Sequence, residues 1–347
     1  MSPSISVAIC SLNGAQRLPE TLRRLREQIG DETALIVVDD GSTDSTSEIA
    51  KSFGARVVRH EENMGFGQAR ESALLNCDTD VLAFIDDECI VGDGWFIELE
   101  SEWKARLPGL VALAGPIHLR GNTVISKYLS RNNPFLPIRN TTSSGRSFKT
   151  RLIRYFLMKQ DLSNGYIESA GNGNLSLNVR FARALGGYDI SLAAGGEDDD
   201  ICRRITARYG EKAIYFSSNV QLTHYSHDQL SEVLHRSFRY GKTSGRKWRS
   251  ESGIPTFLPI PSLLVVSAVI LAALAIPLKI ALPVALAPLF ASLLSRPIST
   301  WRFGHFFIDP WVRLGVETAN NVGFLFGYAE VVERDETQLK FSGRKSL

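Results

Sequence analysis

At 347 residues the chain is long enough for one large domain or a domain with an appendage. A formal net charge of +2 gives no electrostatic case for a nucleic-acid partner, and four cysteines without a CxxC pair argue against both a disulfide framework and a structural zinc site. A hydrophobic fraction of 44% is ordinary for a globular chain, but it is unevenly spread, because Phe257 to Leu294 is an apolar block broken only by Lys279.

The chain opens almost directly on a strand pattern, Ile5 to Cys10, without the charged and apolar regions of a signal peptide. The polar part is therefore expected in the cytoplasm. Leu18, Leu22 and Leu25 recur at helical spacing. Ala34 to Val38 is a second strand pattern, ending at Asp39-Asp40-Gly41-Ser42. Ser45 with Glu48 reads as a capping box opening a helix that stops near Gly54. Arg56 to Arg59 gives a short strand and Gln68 to Asn76 a helix. A buried strand from Val81 to Ile85 follows, then a helix with Trp95, Phe96, Leu99 and Trp103 on one face. This alternation predicts an α/β fold with a mostly parallel sheet covered by helices on both faces.

In such sheets ligands bind outside the carboxyl ends of the strands. Asn13, Asp39-Asp40 and Asp86-Asp87-Glu88 all fall just after strands and so share one rim. Three adjacent carboxylates beyond a buried strand repel one another and resist desolvation. A hard divalent cation, Mg²⁺ or Mn²⁺, would relieve both penalties; a solvated turn is the alternative. Residues 118 to 165 are less regular, with a turn-forming run at 140–147. The pattern tightens again through Gly171-Asn-Gly-Asn-Leu-Ser-Leu177, Gly186-Gly-Tyr188 and Gly195-Gly-Glu-Asp-Asp-Asp200. A strand at Ala213 to Phe216, the histidines His224 and His227, and a basic helix lead into the apolar block.

Five segments in this order resemble the family-2 glycosyltransferases, over roughly residues 5 to 225. They are Val37-Val-Asp-Asp-Gly-Ser-Thr-Asp44, Asn63-Met-Gly-Phe-Gly-Gln-Ala-Arg70, Asp86-Asp87-Glu88, Gly186-Gly-Tyr-Asp189 and Gly196-Glu-Asp-Asp-Asp-Ile-Cys-Arg-Arg204. The resemblance implies a GT-A fold and inverting transfer from a nucleotide-diphosphate sugar. By the same resemblance Asp39 would accept a hydrogen bond from a base N–H, with Asp40 beside it and Asn13 on the same loop rim. Arg70 would hold base or diphosphate, Asp86 would lie near the ribose, and Asp87, Glu88 and His224 would carry Mn²⁺ or Mg²⁺. Asp198 would be the general base and Glu197 would position the acceptor. Asp39 favours UDP, dTDP or GDP, with UDP first. The rival readings are a nucleotidyltransferase, for which Cys10-Ser-Leu-Asn-Gly14 lacks a basic phosphate loop, and a non-catalytic nucleotide-sugar-binding subunit of a synthase complex.

Ile260 to Leu278 has no charge and is about the length that crosses a bilayer core. One helix through to Ser295 would be about 55 Å long against a core of about 30 Å, so a hairpin, or one span plus an interfacial segment, is expected. Arg236, Arg239, Lys242, Arg246, Lys247 and Arg249 before it, with Arg296 and Arg302 after it, give a positive-inside pattern. The expected organisation is a catalytic domain at 1–228, a basic juxtamembrane helix at 229–253, a transmembrane hairpin at 254–297 and an interfacial tail at 298–347. This places the chain at the inner or plasma membrane among lipids, next to a lipid-linked or polysaccharide acceptor.

Overall fold

Strand β1 (Ile5–Ser11) is buried on both faces, as a central strand of a parallel sheet must be. Its alternating side chains enter two different cores. Val7 and Ile9 join Leu18, Leu22, Leu25 and Trp103 on one face. Ala8 joins Ile36, Val38, Leu82 and Phe84 on the other, with Ile201 and Ile205. Burying each large apolar side chain is worth about 1.5–3 kcal/mol, so this two-sided pattern fixes the register of the sheet.

The structure, a computed structural model, describes residues 2–107, 109–131, 133, 135, 163–193, 195–225, 229–251 and 303–330. Further strands are β2 (Leu35–Asp39), β3 (Arg56–Arg59), β4 (Val81–Asp86), β5 (Cys89–Val91), β6 (Ala112–Ala114), β7 (Ile117–Arg120), β8 (Gly165–Tyr166), β9 (Asn174–Asn178), β10 (Ile214–Phe216) and β11 (Leu222–Tyr225). The main sheet runs β3-β2-β1-β4-β9-β6-β10-β8, and β5-β11-β7 form a small second sheet. Strands β3, β2, β1 and β4 are mutually parallel. Strand β9 is antiparallel to both β4 and β6, so the sheet is mixed rather than wholly parallel. The chain order turns back between β1 and β4, where Cys10 faces Asp86, and this is where an open α/β sheet makes a crevice.

The helices around this sheet are α1 (Leu18–Ile29), α2 (Thr46–Ser52), α3 (Phe66–Leu75), α4 (Trp95–Arg106), α5 (Val124–Arg131), α6 (Val179–Ala184) and α7 (Glu197–Tyr209). The capping box expected at Ser45 does not form, since its side chain makes no cap. The Asp44 carboxylate takes that role, accepting the Thr46 N–H at 3.1 Å. The four predicted anchors of α4, Trp95, Phe96, Leu99 and Trp103, are all buried. Trp103 also donates its indole N–H to Ser176 at 2.8 Å, tying α4 to β9.

The chain divides into two compact units, residues 1–230 with 291–309, and residues 231–290 with 310–347. The second contains most of α8 (Leu230–Glu251) and α9 (Phe303–Ala329). Their backbones touch: a Cβ on Gly323 would lie 2.0 Å from the Phe238 carbonyl oxygen, and one on Gly241 1.8 Å from that of Asn320. Just past α9, Glu330 pairs with Lys242 and Arg246. The transmembrane hairpin expected at 254–297 lies outside the described residues, as do the 140–147 run and His227. Among the described residues no helix is long and apolar enough to cross a membrane.

Candidate active site

The carboxyl ends of β1, β2 and β4 lie side by side, bringing Ser11, Asp39 and Asp86 to one rim. Asp39 is fully buried there. Its carboxylate accepts the Ser42 N–H at 2.8 Å, the Ser47 hydroxyl, and Arg59 Nη1 at 2.8 Å. Burial alone would raise its pKa, but the Ser42 and Ser47 hydrogen bonds and the Arg59 charge hold it below the ordinary value. Asp39 therefore organises its own loop, and its three hydrogen bonds leave the carboxylate about one further acceptor position. Asp40 is also buried, and accepts the Met64 and Gly65 N–H groups at 2.9 Å and His60 Nδ1 at 2.6 Å. Asn13, at φ +50°, is exposed, and its side-chain oxygen accepts the Thr43 N–H at 2.9 Å.

The acidic run splits. Asp86 accepts Arg70 Nη2 at 2.7 Å, and Glu88 lies 2.7 Å from His224 Nε2. Strand β11 brings that histidine to the rim, pairing His224 with Cys89. Asp87 goes elsewhere: Ser11 donates to it at 2.5 Å and Arg17 at 2.8 Å. Burial raises the Asp87 pKa against the opposing pull of Arg17 and Ser11. Asp87 is thus a brace between β4 and the loop before α1, and the structure does not bring it together with Glu88 and His224. Among the described residues no three acidic, histidine or cysteine side chains cluster as a metal cage, which leaves Glu88 and His224 as a two-residue donor pair.

Arg70, on α3, is 4% exposed and stacks over the Phe84 ring at 4.9 Å. Its Nε and Nη1 are buried without any protein partner. Unsatisfied donors on a buried cation are costly, so these two nitrogens are open to a further acceptor. Its neighbours in sequence reach other parts of the site. Glu71 accepts the Tyr188 N–H at 2.8 Å and Ser72 meets His60 Nε2 at 2.9 Å.

Glu197 and Asp198 open α7, where the helix dipole favours negative charge. Glu197 is buried and accepts from Asn172 at 3.1 Å, and Asn172 in turn accepts the Tyr188 hydroxyl at 2.8 Å. The Asp198 carboxyl is pushed up to about 7, first by burial and then by the Glu197 charge. Between Asp86 and Asp198 runs the turn before β9. A Cβ on Gly173 would lie 2.5 Å from an Asp86 oxygen, and one on Gly171 3.6 Å from an Asp198 oxygen. Sequence reasoning assigned no role to Ser11, Arg17, His60, Glu71, Asn172 or Tyr188. The Gly171-Asn-Gly-Asn run and the Gly186-Gly-Tyr-Asp189 motif were the visible signals, for Asn172 and Tyr188. A shallow depression lined by Ser6, Arg26 and Thr79 lies at the opposite, amino ends of the strands, away from this chemistry.

Residues 6–163 match the family model described as Glycosyl transferase family 2. The chain is 25% identical over 241 residues to the pre-mycofactocin glycosyltransferase of Mycobacterium tuberculosis, covering 66% of this chain and 43% of that one. It is 30% identical over 91 residues to a Bacillus subtilis glycosyltransferase, EpsH, covering 25% of this chain and 26% of that one. The chain thus spans less than half the length of these two relatives. Among solved structures, a mannosyltransferase of Pyrobaculum calidifontis bound to GDP-Man and Mn²⁺ shares the fold, with a TM-score of 0.56 at 16% identity over 94% of this chain and 88% of the other. Residues 6–163, under half of the chain, are thus similar to glycosyltransferase family 2, and the mostly parallel α/β fold is GT-A-like.

Proposed function

We infer that this protein transfers a sugar from a nucleoside-diphosphate donor to an acceptor hydroxyl with inversion. The observation that carries the reading is Arg70, a buried cation with two unused donors, in the field of Asp86, Glu197 and Asp198. A diphosphate would satisfy those donors and place the anomeric carbon near the carboxylates of α7. Asp198 then takes the proton of the acceptor hydroxyl as its oxygen bonds to that carbon, and the bond to the diphosphate breaks. A base near pH 7 suits this task, and such proton removal contributes about 10²–10⁴-fold. Glu197, fixed through Asn172 and Tyr188, orients the acceptor.

Glu88 and His224 form a mixed oxygen and nitrogen donor pair that suits Mn²⁺ or Mg²⁺, with diphosphate oxygens able to complete the shell. When bound there, the ion supplies Lewis-acid neutralisation of charge on the departing diphosphate. The acceptor reading is a lipid-linked saccharide or envelope polysaccharide at a membrane, supported by the uncharged stretch Ile260 to Leu278 and its basic flanks.

The test is release of nucleotide from UDP-, GDP- and dTDP-sugars by the full chain with Mn²⁺, Mg²⁺ or EDTA. Metal-dependent release from one donor is expected. Nucleotide binding without turnover, even with acceptor lipid extracts supplied, would favour a binding subunit, and no binding at all would overturn the reading.

A further inference from the structure

We propose that His60 is a positioning residue for donor binding, clamping α3 so that Arg70 faces the diphosphate. The idea rests on the donor reading above and on an unbroken hydrogen-bonded chain. His60 follows β3 directly, and its backbone N–H donates to the Asp39 carbonyl oxygen at 2.9 Å. Its ring is thereby held at the carboxyl edge of the sheet. Nδ1 lies 2.6 Å from an Asp40 oxygen, and Nε2 lies 2.9 Å from the Ser72 hydroxyl. An ionised carboxylate only accepts, so Nδ1 carries a proton. Gln68 donates to the Ser72 oxygen at 3.3 Å, leaving the hydroxyl hydrogen for Nε2. A neutral imidazole satisfies every polar atom in the chain.

The two limbs grip the same helix at two points. Through Asp40, His60 reaches the Met64 and Gly65 N–H groups immediately before α3. Through Ser72 it reaches the second turn of α3. Arg70 lies between those points, two residues from Ser72, and carries the unpartnered Nε and Nη1. Asp40, His60 and Ser72 have the connectivity of a nucleophilic triad, but Ser72 is 8% exposed in the interior of a helix. The chain therefore transmits position, and Ser72 attacks nothing. The preorganisation of Arg70 lowers the cost of ordering it when the donor arrives.

A double-mutant cycle on the full chain tests this, with UDP and GDP binding measured by calorimetry in Mn²⁺. His60→Leu is expected to weaken diphosphate binding about tenfold, and Arg70→Ala at least as much. If His60 works through Arg70, the double variant binds no more weakly than Arg70→Ala alone. A merely structural loss would instead multiply the two effects, and multiplicative losses would overturn the proposal. His60→Gln retains one donor and one acceptor and is expected to bind within about threefold of the native chain. This variant, with Ser72→Ala in the same cycle, decides the matter if His60→Leu does not fold. Native protein that binds neither UDP nor GDP would overturn the donor reading and this inference with it. Native binding with independent losses would overturn the role of His60 alone.

Discussion

With its carboxyl pushed up to about 7, Asp198 changes charge within the physiological range, and both rate and stability should follow it. The base must be ionised to accept a proton, so turnover is expected to rise with pH through about 7 and then level off. Stability runs the other way. The folded protein holds this proton more tightly than the unfolded chain does, so ionisation between pH 4 and 7 costs folding free energy. Asp198→Asn should therefore melt at a higher temperature than the native protein at pH 8 and at a similar one at pH 4. The same variant should lose about 10²–10⁴-fold in transfer while keeping nucleotide affinity. The neighbouring acids separate just as cleanly. Asp87→Asn should lower stability by about 1–3 kcal/mol through loss of charged hydrogen bonds to Arg17 and Ser11, with Mn²⁺ affinity unchanged. Glu88→Gln should do the reverse, measured by denaturant unfolding and Mn²⁺ titration in the presence of UDP.

Among the elements, β9 shows best what the sequence did and did not reveal. The β1, β2 and β4 strands were legible as short unbroken apolar runs, and α1 by the helical spacing of Leu18, Leu22 and Leu25. Strand β9 was not, since its place between β4 and β6 depends on partners about 60 to 100 residues away in sequence. That insertion carries Gly171, Asn172 and Gly173 to the rim, where the turn separates Asp86 from Asp198. Gly173→Ala is expected to displace Asp86, weakening UDP binding by about tenfold or more with a smaller change in melting temperature. Asp87 lacks any such pattern. Strand β4 ends at Asp86, and Asp87 and Glu88 form the turn before β5, so only the folded turn sends Asp87 towards Ser11 and Arg17. Composition alone gives no way to separate Asp87 from Glu88 as a metal ligand. The loop before α3 also touches the loop before α7, with the Phe66 and Gly67 N–H groups donating to Ala193 and Leu192 at 3.0 and 3.3 Å. The segments that lead to Arg70 and to Asp198 thus share hydrogen bonds.

On the scale of the whole molecule, all the chemistry described belongs to the first unit, and among the described residues the second contributes two helices and their charges. Arg236, Arg239, Lys242 and Arg246 lie along α8. The full chain is expected to sediment with vesicles rich in phosphatidylglycerol, to release as salt rises, and to ignore neutral vesicles. Arg239→Glu should weaken that partition by roughly tenfold, since each surface cation near an anionic bilayer is worth about 1 kcal/mol. Helices α8 and α9 meet through glycine, backbone to backbone, at Gly241 and Gly323. Contact of this kind draws on close atomic approach more than on the expulsion of water, and hydrocarbon chains compete for it poorly. The joint is therefore indifferent to its medium. It would hold its shape in an aqueous phase, at a lipid surface or within acyl chains, so the pair need not refold when its surroundings change.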